Sequence, residues 1–288
     1  MPVAMRSSEE NDNRPIRGLL RKLVKAPAAL SFIFPLLLIA GCYFAWTNWG
    51  SAVLGEKFFK IDPELVQITP PPTYIRSDIV NSVYEETALE NMSLLDSQAA
   101  ARIASAFATS PWIRQVNSVR KLPGGTVDIR VDYRLPVAMV RAISKHTKVS
   151  GFFVVDGDGV LLPTSDFSSS DTHNYIHIGI PYVYATKFAG QPFGETRVEA
   201  AAKLAHALTP VREQLGIVAI SASGDAREDI VPQLELTLKD GKRVFWGSAP
   251  GSEFKGEATA LMKVEALLRG DLSENLDLRV AGQNEHQR

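Results

Sequence analysis

The chain has 288 residues, of which 31 are Lys or Arg and 32 are Asp or Glu, so its net charge is close to zero. This balance disfavours a nucleic acid or an anionic membrane surface as the main partner, because both select strongly basic surfaces. The single cysteine excludes a framework of disulfides, so stability must come from buried apolar side chains, for which the length is ample.

The first predicted element is an apolar helix near the N-terminus. No Asp, Glu, Lys or Arg occurs among the 24 residues 26–49, which as a helix would rise ~36 Å and cross a hydrocarbon core of about 30 Å. Residues 1–25 carry six basic and three acidic side chains, and this bias keeps the N-terminus in the cytoplasm. The pattern predicts a single-pass type II protein of the cell inner membrane, with residues 50–288 exported.

The only cysteine leaves a second interpretation open. The segment Ile39–Cys42 resembles a bacterial lipobox, where the chain is cut and the cysteine becomes lipidated. The apolar run is longer than a signal-peptide core of roughly 7 to 15 residues, and it ends with Trp46 and Trp49, which suit the headgroup level. These features favour an uncleaved anchor over an exported lipoprotein.

The elements that follow are predicted in the order strand, helix, helix, strand, strand. A short strand at 65–69 stops at three prolines, and apolar residues four apart predict a helix over 74–86. Asp96 can cap a second helix, which ends at Pro111. Two extended arms then flank a Pro-Gly-Gly turn, and the second arm alternates apolar and charged residues over 127–134.

The second half of the chain mixes hairpins with helices. Hairpins are predicted at 151–163 and at 233–246, the latter around an Asp-Gly turn. Helices are predicted over 197–216, bent at Pro210, and over 254–270, with a stripe of Leu261, Val264 and Leu268. Trp112 and Trp246 are predicted core residues.

Four motifs in this order carry a resemblance to a known family. They are SPWIRQVNSVRKLPGGTVDIRVDYRLPVAMV from Ser110, GFFVVDGDGVLLP from Gly151, LKDGKRVFWGS from Leu238 and LDLRV from Leu276. The first resembles the second half of the POTRA domain of the FtsQ/DivIB cell-division proteins, and the others are similar to strands of that family's β domain. Two departures are Tyr133, where the family usually has Glu, and a chain that ends eight residues after Val280.

The resemblance implies an α+β fold. One transmembrane helix would be followed by a POTRA-like βααββ domain and a C-terminal mixed β domain with packed helices, the two modules meeting near 141–150. The expected organisation is a cytoplasmic basic tail at 1–25, a transmembrane helix at 26–49, a linker at 50–59, a POTRA-like domain at 60–142, an FtsQ-type β domain at 151–282 and a polar tail at 283–288.

Two clusters invite a metal-binding interpretation, and the sequence argues against both. Asp156 and Asp158 lack the further acidic ligands of a calcium loop and fit a hairpin turn. His173 and His177 lie four apart in a segment that reads as extended, which would separate them by ~13 Å, too far for one ion. We therefore expect no catalytic, cofactor-binding or metal-binding residues, and no enzymatic activity.

On the resemblance, the function is that of a non-catalytic divisome scaffold, which links membrane division proteins during septum formation. The expected partners are bitopic division proteins of the FtsB/FtsL type, with membrane lipid around the N-terminal helix and no nucleic acid. In the family a partner strand is received at the Asp-Leu-Arg motif, which implies partner binding at Asp277, Leu278, Arg279 and Val280. Asp277 and Arg279 could instead only solvate an edge strand.

Two alternatives from other classes remain open. One is an exported lipoprotein that binds a ligand. The other is a POTRA-type chaperone or binding module of envelope assembly, which is disfavoured because no barrel-length run of alternating strands follows Val280.

Overall fold

The computed structural model of the chain describes residues 27–50, 60–87, 89, 92–224, 231–269 and 276–279. The chain divides into two compact units, Met1–Lys60 and Ile61–Arg288. In the first unit, helix α1 (Pro27–Ala45) is followed directly by one π-helical turn (Trp46–Gly50). The second unit is a mixed α/β structure with two sheets.

The predicted transmembrane helix is wrong. Within the described ranges, no helix is long and apolar enough to cross a membrane. Helix α1 covers 19 of the 24 residues of the predicted span, because α-helical geometry ends at Ala45, where the π-helical turn begins. The predicted single-pass location in the inner membrane depended on that helix and is corrected with it.

The smaller sheet of the second unit has three strands in the order β1-β3-β2. In chain order, its elements are β1 (Val66–Ile68), α2 (Ile79–Thr87), α3 (Ala99–Phe107), β2 (Ile113–Lys121) and β3 (Val127–Tyr133). β1 pairs with β3 in parallel, whereas β2 and β3 form an antiparallel hairpin. The alternation predicted for β3 is observed, since Val127, Ile129 and Val131 are buried, Tyr133 is half-buried and the charged residues are not buried.

The larger sheet has eight strands. Seven follow the order β11-β10-β9-β8-β6-β4-β5, and β7 pairs with the end of β4. The strands are β4 (Pro136–Ser144), β5 (Ser150–Asp156), β6 (Ile176–Gly179), β7 (Tyr184–Ala185), β8 (Ile217–Ser223), β9 (Gln233–Leu238), β10 (Arg243–Gly247) and β11 (Leu276–Asp277). The sheet is mixed, because β6 is parallel to both β4 and β8 while β8, β9 and β10 form an antiparallel meander.

Helices cover one face of this larger sheet. They are α4 (Thr196–Leu208), α5 (Arg212–Leu215) and α6 (Ala260–Arg269), and short 3₁₀ helices occur at Pro63–Leu65, Pro123–Gly125, Thr164–Asp166 and Ser169–Asn174. The apolar side of α4 is fully buried and shares one core with the strands beneath it. Pro210 separates α4 from α5 instead of bending one helix, because proline cannot donate the helical hydrogen bond.

A second apolar core joins the two sheets. It contains the side chains that α2, α3 and the small sheet bury, together with Met139 of β4, Val154 of β5 and Leu162 of the segment after β5. The segment 141–150, where we expected two modules to meet, is the end of β4, an exposed turn and the start of β5. The domain limits given above remain predictions.

Candidate partner-binding site

The predicted partner-binding residues lie at one edge of the larger sheet. Asp277 belongs to β11, the last strand of the sheet, and Leu278 and Arg279 follow it directly. Val280 lies outside the described residues. The structure thus brings three of the four residues together on the edge strand, which we name the C-terminal edge (residues 276–279).

Strand β11 is held in place by a short parallel ladder. Its two residues, Leu276 and Asp277, pair with Val244 and Phe245 of β10, and the Leu278 N–H donates to the Phe245 carbonyl at 2.8 Å. Leu278 is buried with 1% of its surface exposed and belongs to the main core. Leu278 therefore anchors the edge, and it offers no side chain to a partner.

Asp277 and Arg279 bind each other. The Arg279 guanidinium donates to both Asp277 carboxylate oxygens, with a shortest distance of 2.6 Å from Nη2 to Oδ2, and the Arg279 N–H also donates to Oδ1. The hydrogen bond from Arg279 lowers the pKa of Asp277, and the same bond raises the pKa of Arg279. A partner carboxylate would have to compete with Asp277 for this guanidinium.

Beneath the edge lies an ion pair that the sequence did not predict. Lys263 of α6 is completely buried, and its Nζ lies 2.6 Å from Oε1 of Glu257. The ammonium also lies 5.2 Å from the centroid of the Trp246 ring. A buried lysine needs such partners, because an unpaired charge in the core is costly.

The Glu257 carboxylate accepts hydrogen bonds from several groups, two of them backbone N–H groups of one loop. Besides Lys263, it accepts the N–H groups of Ser248 at 2.8 Å and Phe254 at 3.0 Å. Burial raises the pKa of this carboxyl, but the hydrogen bonds from Lys263, Phe254 and Ser248 outweigh that effect and lower the pKa to about 2. Glu257 is thus ionised at neutral pH and fixes the loop 248–257.

Gly247 connects this ion pair to the edge. Its φ of +93° favours glycine, and a Cβ placed there would contact the Glu257 carboxylate and come within 2.8 Å of Arg279 Cγ. In addition, the Ala258 N–H donates to the Arg279 carbonyl. The end of β10, the loop after it and the C-terminal edge therefore form one connected structure.

The apolar stripe predicted for the last helix is wrong at two of its three positions. Leu261 and Leu268 are 69% and 42% exposed, whereas Val264 packs against the core. The fully buried residues of this helix are Lys263 and Leu267. The buried face of this helix includes Lys263, which can be buried because its ammonium pairs with the carboxylate of Glu257. Because lysine is a charged residue, a pattern of apolar residues alone predicts Lys263 on the surface.

The two clusters considered for metals have other roles. Asp156 Oδ1 accepts the N–H groups of Asp158 and Val160, and Oδ2 receives Arg134 Nη1 at 2.7 Å, so this aspartate holds a turn. His173 and His177 line one open cleft, and the His177 ring bonds to the Thr172 carbonyl. Across the described residues, no three His, Cys, Asp or Glu side chains are grouped to hold a metal ion.

Comparison with known proteins gives no assignment. No protein-family model matches the chain, and no curated protein sequence is significantly similar to it.

Proposed function

We propose that this protein is a non-catalytic scaffold of the cell-division machinery, which links membrane division proteins of the FtsB/FtsL type during septum formation. The observation that carries the proposal is the C-terminal edge. β11 is the last strand of a large sheet, only two residues long, and it pairs on one side with β10. A sheet edge of this kind accepts an extended segment of a partner as an additional strand.

The sequence resemblance supports the same proposal. The arginine of one family-like motif, Arg134, forms an ion pair with the aspartate of the next motif, Asp156, and both side chains are largely buried. Two of the resembling motifs are thus in direct contact through this ion pair.

The Asp277–Arg279 pair gives the edge its specificity in this proposal. The Arg279 side chain is 53% exposed and Asp277 is 39% exposed, so a partner strand meets both charges. A partner carboxylate can share the guanidinium, and a partner lysine or arginine can share the aspartate. The competing interpretation is that both charges only discourage unwanted strand pairing.

The experiment is affinity recovery of partners from solubilised membranes with the full-length chain, using Arg279→Glu. Arg130→Glu is a matched control, since Arg130 is 63% exposed and binds Asp128 two residues before it, as Arg279 binds Asp277. Binding at the C-terminal edge predicts that Arg279→Glu abolishes recovery of short bitopic proteins while Arg130→Glu retains it. Both variants should keep stability within about 0.5 kcal/mol of the parent, because both positions are exposed.

Undiminished recovery with Arg279→Glu would place the partner on another surface. Recovery of outer-membrane assembly proteins, in place of bitopic division proteins, would favour the chaperone alternative.

A further inference from the structure

The opposite edge of the larger sheet is also open, along part of β5. The second half of this strand pairs with residues 160–162. The Leu162 N–H donates to the Val154 carbonyl, and the Asp156 N–H donates to the Val160 carbonyl. Pro163 follows and ends this pairing, because proline has no N–H to donate. The first half of β5 has no such neighbour in the part of the chain that the structure describes.

The direction of the open backbone groups follows from strand geometry. In an antiparallel pair, both the N–H and the C=O of every second residue point to the same side. The groups of Val154 and Asp156 point away from β4, toward residues 160–162. Those of Ser150 and Phe152 therefore also point away from β4 and form a row of donors and acceptors that no described backbone group pairs with.

Apolar side chains stand beside this row. Phe152 is 41% exposed and Val149 is 64% exposed, while Phe153 packs against the main core from the other face of the strand. Ile143, on the neighbouring strand, is 37% exposed and lies opposite Ser150. An added strand would find apolar contacts on both faces of β5.

The stretch of chain that contains this edge carries charges of one sign. No Asp or Glu occurs between Arg141 and Val155, although the whole chain carries slightly more acidic than basic residues. Lys145 and Lys148 lie in the exposed turn that leads into β5, and Arg141 lies opposite Phe152. None of these three forms an ion pair with a described residue.

We infer that the first half of β5 (residues 149–153, the β5 edge) binds an extended acidic segment of a partner protein by strand addition. The backbone groups of Ser150 and Phe152 pair with the segment, Phe152 and Val149 contact its apolar residues, and Lys145 and Lys148 receive its carboxylates. An anionic lipid surface would match the charge, but acyl chains cannot pair with backbone N–H and C=O groups. This site is separate from the C-terminal edge and does not depend on the proposed function.

The test uses a fluorescent peptide, Glu-Glu-Val-Thr-Val-Thr-Val-Glu-Glu, and fluorescence anisotropy with the full-length protein. We expect saturable binding that the double variant Lys145→Glu/Lys148→Glu weakens by about tenfold or more, because two attractions become repulsions. The control is Lys239→Glu/Lys242→Glu, which changes two lysines with the same spacing in the turn between β9 and β10. We expect this control to change binding by less than about twofold.

Two further probes separate backbone pairing from simple charge attraction. The same peptide N-methylated at alternate residues should not bind, since it cannot complete a ladder, and a peptide with Lys in place of Glu should not bind either. Equal binding of the N-methylated peptide, or equal loss in both double variants, would overturn the inference. Absence of peptide binding, with sedimentation on phosphatidylglycerol vesicles that the Lys145/Lys148 variant loses, would assign the edge to a lipid surface instead.

Discussion

The Lys263 ammonium forms its ion pair, within the described residues, with the carboxylate of Glu257. The lysine is completely buried, and its charge is also compensated by the Trp246 ring and by the more distant Asp277 carboxylate. Removing one member of a buried pair leaves an uncompensated charge, which costs more than the pair contributes. The effect of a substitution on stability thus tests whether the buried lysine requires Glu257.

We expect Glu257→Gln to destabilise the protein by about 3–5 kcal/mol at neutral pH. Glu265→Gln is the control, because Glu265 is 51% exposed and pairs with Arg269 on the same helix, where such pairs contribute about 0.3–0.5 kcal/mol. Urea unfolding followed by tryptophan fluorescence measures both variants. A loss as small as that of the control would show that Lys263 is adequately solvated.

The same pair predicts a pH dependence. The pKa of Glu257 falls from an ordinary value of 4.5 to about 2 in the folded protein, so its ionised form stabilises the fold above pH 4.5 and this contribution is lost as the pH falls toward 2. The stability difference between the parent and Glu257→Gln should therefore be constant above about pH 5 and shrink below it. A difference that stays constant down to about pH 2.5 would contradict the assignment of the pKa shift.

The backbone turn between β10 and the loop that follows it requires a glycine at position 247. We expect Gly247→Ala to destabilise the protein more than Gly241→Ala, although both residues have positive φ, +93° and +85°. A Cβ at Gly241 meets nothing within 4 Å, whereas one at Gly247 meets Glu257 and Arg279. In both variants, an alanine at positive φ costs about 1–2 kcal/mol. In Gly247→Ala, the steric contact of the new Cβ should add about 1–3 kcal/mol.

Thermal unfolding of the two glycine variants measures this difference. Equal destabilisation would mean that the Glu257 and Arg279 side chains both move aside freely, and that the edge is not coupled to the loop.

Short-range patterns could predict many elements but not their partners. The hairpin of β9 and β10 followed from alternation and an Asp-Gly turn, and the buried Trp112 and Trp246 were predicted correctly. Strand β4 was missed because it is buried over five consecutive residues, which removes the two-residue period. Strand β11 has two residues and is a strand only because β10 lies beside it, a contact between distant segments.

The candidate site was predictable only in part, for the same reason. The Asp-Leu-Arg motif located the edge strand, but the mutual binding of Asp277 and Arg279 depends on their side-chain conformations. The Lys263–Glu257 pair depends on where α6 packs, and no local pattern encodes that position.

The two sheets of the second unit are connected by polar contacts as well as by a shared apolar core. Asp166 is buried, and its Oδ2 accepts both Trp112 Nε1 and Ser77 Oγ at 2.8 Å. These contacts join the 3₁₀ helix after β5 to the start of β2 and to the segment before α2. The polar loop 166–171 is thus held in place at Asp166 by these two contacts, and at Asp171 by Arg76 and Ser168.

We therefore expect proteinase K, among the described residues of the second unit, to cut the 145–149 turn before the 166–171 loop. All residues of that turn are exposed, and a cut there breaks no apolar contact of the shared core. The two fragments should still elute as one species in native size-exclusion chromatography, because β4 and β5 remain paired on either side of the cut and Met139 and Val154 stay in one core. Denaturing gels and mass spectrometry locate the cut, and separation of the fragments under native conditions would mean that β4 does not stay paired with β5 and β6 once the turn is cut.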